Sequence, residues 1–595
     1  MEALKNRSEI DESLKWDLSR IFKSEDEYTT KLNEMIKLSD ELVKFKGNIK
    51  NSEDLLNSIE IYEKIMEAQN LTSNYASLSY SVDLTDEESR IRIQKFDNIE
   101  NNLMEKISFY ENEILSLDVE IIEETINSSD KYKMYLKTIL KNKEHILSEK
   151  EEKVIATLAP SIAGPYKTYE DSKASDMTFD DFVVGDKTYA NSFVLYENFY
   201  CYDTNEEVRR KAYESFSKGL DRYKNTFASV YINHVTNEKQ IATLRGFDSV
   251  IDYSLFNQGV DRKLYDRQID LMTEKLAPHM RKYAKLIKKF YNIDKMTFAD
   301  LKVPIDAEFV PKITIEESKD YVKDALSVMG EEYLDVAMSS YSNRWIDFAN
   351  NIGKSTGGFC ASPYKCDSFI LLSFTEQLNE VYTLVHEIGH GVHFHNAQAN
   401  NSVLEEEPSL YFIESPSTIN ELLLSNSLLK KATDDRFKRF VYAAQIGNTY
   451  YHNCVTHLLE AAYQREVYRL VDAGEPLTEK TLTKITKEVH EKFWADAVEI
   501  DDYAALTWMR QPHYYMGLYS YTYSAGLSIA TEVAKRIMKD GKVAADAWID
   551  ALCKGGSLEI IDLCKVAGVD ITKEDFILNT IDYIGDIIDK IEELM

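Results

Sequence analysis

Helix breakers are almost missing from the first quarter of this 595-residue chain: residues 1–150 contain no proline and one glycine, Gly47. With dense Leu, Ile, Glu and Lys, that absence excludes a turn-rich β architecture there and predicts long helices. Disulfide scaffolding is missing too. Six cysteines (Cys201, Cys360, Cys366, Cys454, Cys553, Cys564) lie scattered with no C-x-x-C spacing, a usage that suits a reducing compartment. The opening "MEALKNRSEIDESLK" lacks the apolar stretch of a signal peptide. The longest uncharged run, Gln511 to Thr531, is long enough to span a bilayer, but it carries Pro512, His513 and five tyrosines. It therefore reads as buried protein, with no membrane partner. Positive charge is scarce: 101 acidic against 70 basic residues leave a net −31. Such a surface repels phosphate backbones and excludes nucleic acid as a partner. The expected setting is the cytoplasm, and the charge favours basic peptides over acidic ones.

A chain this long implies two or more units with a large buried core. Candidate capping boxes at Ser24…Glu27, Thr85…Glu88, Ser148…Glu151 and Thr204…Glu207 mark helix starts. Breakers cluster from Pro160 to Gly185, and "MTFDDFVVGDKTYA" sets β-branched and aromatic residues around a Gly-Asp turn, which predicts a small hairpin. A boundary near residue 200 separates an N-terminal helical region, 1–200, from a second region, 201–595. Within the second, "KSTGGFCASPYKCDSFILLSF" has a Gly-Gly pair and then an apolar run of strand length, Phe369 to Phe374. Gly357 and Gly358 let another backbone approach closely, and an edge strand here can pair with an extended peptide. "LEEEP", with Glu405 to Glu407, reads as a charged loop.

Histidine is sparse, yet four of the eleven fall in "VHEIGHGVHFH", Val385 to His395. On a helix, Val381, Leu384, Val385, Ile388 and Val392 form a packing face. His386, His390 and His393 point to the other side, with Glu387 on the flank. Residues four apart sit one turn apart, so His386 and His390 can grip one zinc ion while Glu387 takes a proton from its water. His393 lies about 10 Å along the axis from His386, too far to be the third ligand, and is assigned to the outer support of the site. The third ligand is sought in "YFIESPSTINELLLSN": Glu414 to bind metal, and Glu421 on the same helical face to orient a ligand histidine. "RQPHYYMGLYSYTYSAG" offers His513, Tyr514, Tyr515, Tyr519, Tyr521 and Tyr523 as donors to an oxyanion or a peptide backbone.

At these residues the chain resembles the oligoendopeptidase F branch of the thimet-oligopeptidase-like zinc metallopeptidases. "GHGVHFH", "IESPSTINE", "RQPHYYMGLYSYTYSAG" and "KSTGGFC" carry the likeness, and "KWDLSRIF", "NEEVRRKAYESF" and "IATLRGFDSVIDYSLF" extend it. The resemblance implies a mainly α, two-lobed fold around a deep channel, one zinc per chain on its floor, and a small sheet beside the H-E-x-x-H helix. It implies endopeptidase action on short unstructured oligopeptides. Zinc falls to His386, His390 and Glu414; catalysis to Glu387, His513 and Tyr523; substrate binding to Gly357, Gly358, Phe359, Tyr515, Tyr519 and Tyr521. Phe359 and Cys360 depart from the branch's usual residues after Gly-Gly. Two rivals stand beside this reading. One is a zinc carboxypeptidase or dipeptidase, for which Arg510 would bind the terminal carboxylate; the other is a non-catalytic helical peptide-binding protein.

Overall fold

The computed structural model describes residues 5–355 and 357–595; residues 1–4, and Thr356 of the "KSTGGFC" stretch, lie outside the described residues. The fold is mainly α, with one two-stranded and one three-stranded sheet. The breaker-free N-terminal stretch forms long helices, among them α1 (Glu25–Leu42) and α2 (Ser52–Ser81). Ser24 caps α1 by accepting from the Glu27 amide, and Ser148 forms the expected capping box with Glu151. At the other two positions the neighbouring residue wins. Asp86, not Thr85, caps one helix, and Asn205, not Thr204, caps α3 (Glu206–Leu244). Asx side chains cap better than threonine. The hairpin forms as β1 (Phe182–Val184) and β2 (Lys187–Tyr189), antiparallel.

Apolar burial separates into two main cores. One gathers residues from Phe22 to Ile139, the other residues from Tyr169 to Ile591. A small third cluster joins Trp16, Leu78 and Val82 to Phe369 and Leu371. Those last two belong to the three-stranded sheet of β3 (Ile346–Asp347), β4 (Phe359–Ala361) and β5 (Phe369–Leu371), in the order β3-β5-β4. The apolar run is therefore the central strand, fully buried, and the edge is β4, immediately after Gly-Gly. The first residues of the chain anchor this sheet. Arg7 and Lys354 converge on buried Asp347, at 2.9 and 2.7 Å from its Oδ1. Leu14 O accepts from the Phe348 amide at 2.9 Å, and Trp16 packs edge-on to Phe369.

Four further helices carry the site: α4 (Leu378–Asn400), α5 (Ser415–Lys431), α6 (His457–Asp472) and α7 (Ser520–Asp540). Helix α7 takes up much of the long uncharged run and is buried along most of its length. No helix among the described residues is long and apolar enough to cross a membrane. "LEEEP" is a loop, but not a solvated one. Glu405 and Glu406 are buried, and Glu405 accepts from the Tyr135 amide at 2.7 Å. The loop is pinned against the N-terminal helices, which sequence charge alone does not reveal.

Candidate active site

Helices α4 and α5 touch because Gly389 has no side chain: a Cβ there would stand 2.2 Å from Pro416 O and 2.8 Å from Ser417 Cα. Asn420 Nδ2 donates to Val385 O at 3.0 Å and accepts from Tyr333 OH at 2.9 Å, which ties the pair together. Glu414 is the N-cap residue of α5, where the helix dipole favours a carboxylate. Gly526 on α7 leaves room for it, since a Cβ there would be 3.0 Å from Glu414 Cβ.

This packing brings His386, His390 and Glu414 together. Glu414 Oε2 lies 3.5 Å from His386 Nε2 and 3.4 Å from His390 Nε2. Donor bonds of about 2.0–2.1 Å in a tetrahedral site require donor–donor edges of about 3.3–3.4 Å, so the set fits one divalent cation. Glu421 Oε1 receives His386 Nδ1–H at 2.7 Å, fixing the tautomer that turns Nε2 to Glu414. Thr449 donates to the other Glu421 oxygen. Burial disfavours a charged His386, but the Glu421 hydrogen bond and the charges of Glu387, Glu421 and Glu414 override it and lift its pKa to about 9. The position favours positive charge, whether proton or metal. Glu414 is pushed the other way: burial raises it, yet His390 and His386 hold it well below the usual carboxylate range. Glu387 is buried, and burial raises its pKa despite the two histidines, as suits a proton acceptor.

A cleft of about 600 Å³ opens over these groups. Its walls include Gly358 and Phe359 at the sheet edge, Thr383 and Glu387 on α4, and Tyr519 and Tyr523 at the start of α7. Gly357 has φ +90°, a turn that favours glycine. A Cβ on Gly358 would stand 3.3 Å from Thr383 Cγ2 and 3.5 Å from Glu387 Oε1. Tyr519 OH donates to Glu414 Oε1 at 3.1 Å, and Tyr523 OH lies 3.2 Å from His513 Nε2. Burial lowers the His513 pKa to about 4, so the ring is neutral. His513 stands behind the two tyrosines, not in the cleft wall.

Three expected site residues lie elsewhere. Tyr521 is buried, donates to Gln258 and packs on Tyr265 and Tyr411. Tyr515 packs on Tyr169, Tyr231 and His234. His393 is fully buried beside Phe394 and Phe412 with neither ring nitrogen hydrogen-bonded, and it supports no ligand. Arg510 is committed to Glu197 at 2.8 Å and lies over Tyr196 and Phe216, away from the cleft. Sequence reading missed His452, His457 and Glu460. His452 lines the cleft, and its Nε2 is 3.1 Å from His457 Nε2; His457 Nδ1 is 2.6 Å from Glu460 Oε2. The spacing in "YHNCVTHLLE", polar groups on an apolar helix, was the available signal.

Residues 199–583 match peptidase family M3, and residues 113–179 match the Oligopeptidase F family. The oligopeptidase PepF of Bacillus subtilis is 28% identical over 100% of this chain and 89% of its own length. An oligoendopeptidase F homolog of Borreliella burgdorferi is 29% identical over 97% of each chain. The crystal structure of oligoendopeptidase-F from Enterococcus faecium superposes with a TM-score of 0.75 at 23% identity, covering 96% of this chain and 98% of its own, which shows a shared fold. With two family matches that together span most of its length, the chain belongs to peptidase family M3 and, within it, to the oligoendopeptidase F metallopeptidases.

Proposed function

We propose that this metallopeptidase is a zinc-dependent endopeptidase that hydrolyses internal bonds of short, unstructured oligopeptides in the cytoplasm. The observation that carries the reading is the convergence of two imidazoles and a carboxylate beside a buried, proton-accepting glutamate in one cleft. His386, His390 and Glu414 would hold the ion. When bound, zinc polarises the scissile carbonyl and acidifies the attacking water. Glu387 accepts that water's proton and passes it to the leaving amine. His513 is neutral and its Nε2 lies 3.2 Å from the Tyr523 oxygen; with the ring hydrogen placed on Nε2 it donates there and leaves the phenol hydrogen free to meet the developing oxyanion. Tyr519 steadies Glu414. The free edge of β4, with Gly357, Gly358 and Phe359, receives the extended substrate backbone as an added strand. Six unpaired cysteines suit a reducing cytoplasm. The carboxypeptidase reading loses support because Arg510 is already neutralised by Glu197. Glu387→Gln tests the assignment: peptide hydrolysis falls by about 10²–10⁴-fold while tightly bound zinc, measured by mass spectrometry, stays at the wild-type level. Unchanged hydrolysis refutes it. Cleavage mapping on peptides blocked at both ends separates endopeptidase from exopeptidase action.

A further inference from the structure

A second group of metal-binding side chains stands behind the cleft wall. One ligand atom from each of His457, Glu460 and His513 lies within 4.8 Å of the others, the same donor set of two imidazoles and a carboxylate as the first site. His457 and Glu460 are buried, and His513 is half-buried. An irregular stretch of backbone brings His452 against the group. Two π-helical segments, Gln445–Tyr450 and His452–Thr456, precede α6, and the wider turn lets His452 reach back to His457, 3.1 Å between their Nε2 atoms. On the other side, His457 meets His513 edge-on at 4.6 Å and lies flat on Tyr523 at 4.1 Å. His513 Nδ1 is buried with no hydrogen-bond partner. A buried ring nitrogen without a partner needs one.

From this juxtaposition we infer that His457, Glu460 and His513 form a second divalent-cation site, distinct from the one at His386, His390 and Glu414. Nitrogen and carboxylate donors select a borderline ion such as zinc over magnesium or calcium. The 2.6 Å contact between His457 Nδ1 and Glu460 Oε2 opens to an edge of about 3.3 Å as the ion takes the place of the shared proton, a side-chain adjustment. His452 lines the cleft and so gives the ion a route in. Arg510 and Lys302 line one cavity with Glu460 and both oppose occupancy, Arg510 partly offset by Glu197 and Lys302 bearing on His457 as well. The second site is therefore weaker than the first. Bound there, the ion holds His513 in the tautomer that donates to Tyr523 and so couples metal supply to the donor side of the cleft.

The test is equilibrium dialysis of the full-length protein against buffered zinc, with metal counted by mass spectrometry. The wild type takes one tight equivalent and then a weaker second. Glu460→Gln and His457→Gln lose the second and keep the first. Glu414→Gln loses the tight one and keeps the weak one, which distinguishes failure of this inference from failure of the peptidase reading. Lys302→Met tightens the second equivalent at least threefold, a gain that a merely structural role for these groups would not produce. Saturation at one equivalent in the wild type overturns the inference. So does a second equivalent that survives both Glu460→Gln and His457→Gln, or one indifferent to Lys302→Met.

Discussion

The closest test of how packing builds the metal site is Gly389→Ala. The added methyl would stand 2.2 Å from Pro416 O, 2.8 Å from Ser417 Cα and 2.9 Å from Pro416 C, all of them backbone atoms of the segment that starts α5. Ordinary contact needs about 3.3 Å or more, so α4 and α5 must part by about 1 Å. The histidines ride on α4 and Glu414 opens α5, so the donor edges of 3.4 and 3.5 Å widen by a similar amount. Metal sites tolerate only about 0.2 Å of error in ligand distance. The expected result is loss of tightly bound zinc and a fall in kcat/KM of about 100-fold or more, with an overpacking cost of about 1–3 kcal/mol. Gly391→Ala, two residues on, is the control. There the methyl meets Ser368 Cβ and Oγ at 3.3 Å and Trp345 Cζ3 at 3.4 Å, side chains that can yield by a few tenths of an ångström. Zinc content after dialysis, peptide hydrolysis and urea unfolding are measured for both. If Gly389→Ala keeps full zinc and activity within threefold of wild type, or if Gly391→Ala does equal damage, helix contact does not set the ligand geometry.

Three other expectations follow from the same contacts. Tyr523→Phe lowers kcat by about 10²–10³-fold with little change in KM, read from steady-state kinetics on a quenched peptide. Glu421→Ala frees the His386 ring and weakens zinc by about 10–100-fold, read by competition with a chelator of known affinity. Glu406 is buried, and its pKa is lifted by burial to about 8, above the usual 4.5. The folded state then binds the extra proton between those values, so the wild type loses stability as pH rises from 4.5 to 8, at up to about 1 kcal/mol per pH unit. Glu406→Gln removes that slope, and urea midpoints at pH 5 and pH 8 measure it.

The candidate metal-ligand set was legible in the sequence because helical spacing is geometric. His386 and His390 must share a face; from α5, Glu414 reaches both and Glu421 reaches His386. The tyrosines were half legible for the same reason. Tyr519 and Tyr523 stand four apart and both face the cleft, while Tyr521 falls on the opposite side of the turn and packs inward. Tyr515 sits in a separate short turn whose direction no periodicity fixes. His393 shares its face with His386 two turns further along, but by that point Phe412 has closed over the helix. The strand assignment erred by one neighbour. The apolar run is central because β3 and β4 pair with its two edges, and Trp16, more than three hundred residues earlier, buries one of its faces, contacts that only the folded chain brings about.

Asp347 shows what such distance means for the order of assembly. Its partner Arg7 is separated from it by 340 positions, so the earlier segment must wait for the sheet made in the latter half of the chain. Closing so long a loop is slow, although its entropic cost grows only logarithmically with length. Until that closure Asp347 keeps only Lys354 as its partner, and the sheet beside the cleft lacks part of its anchor.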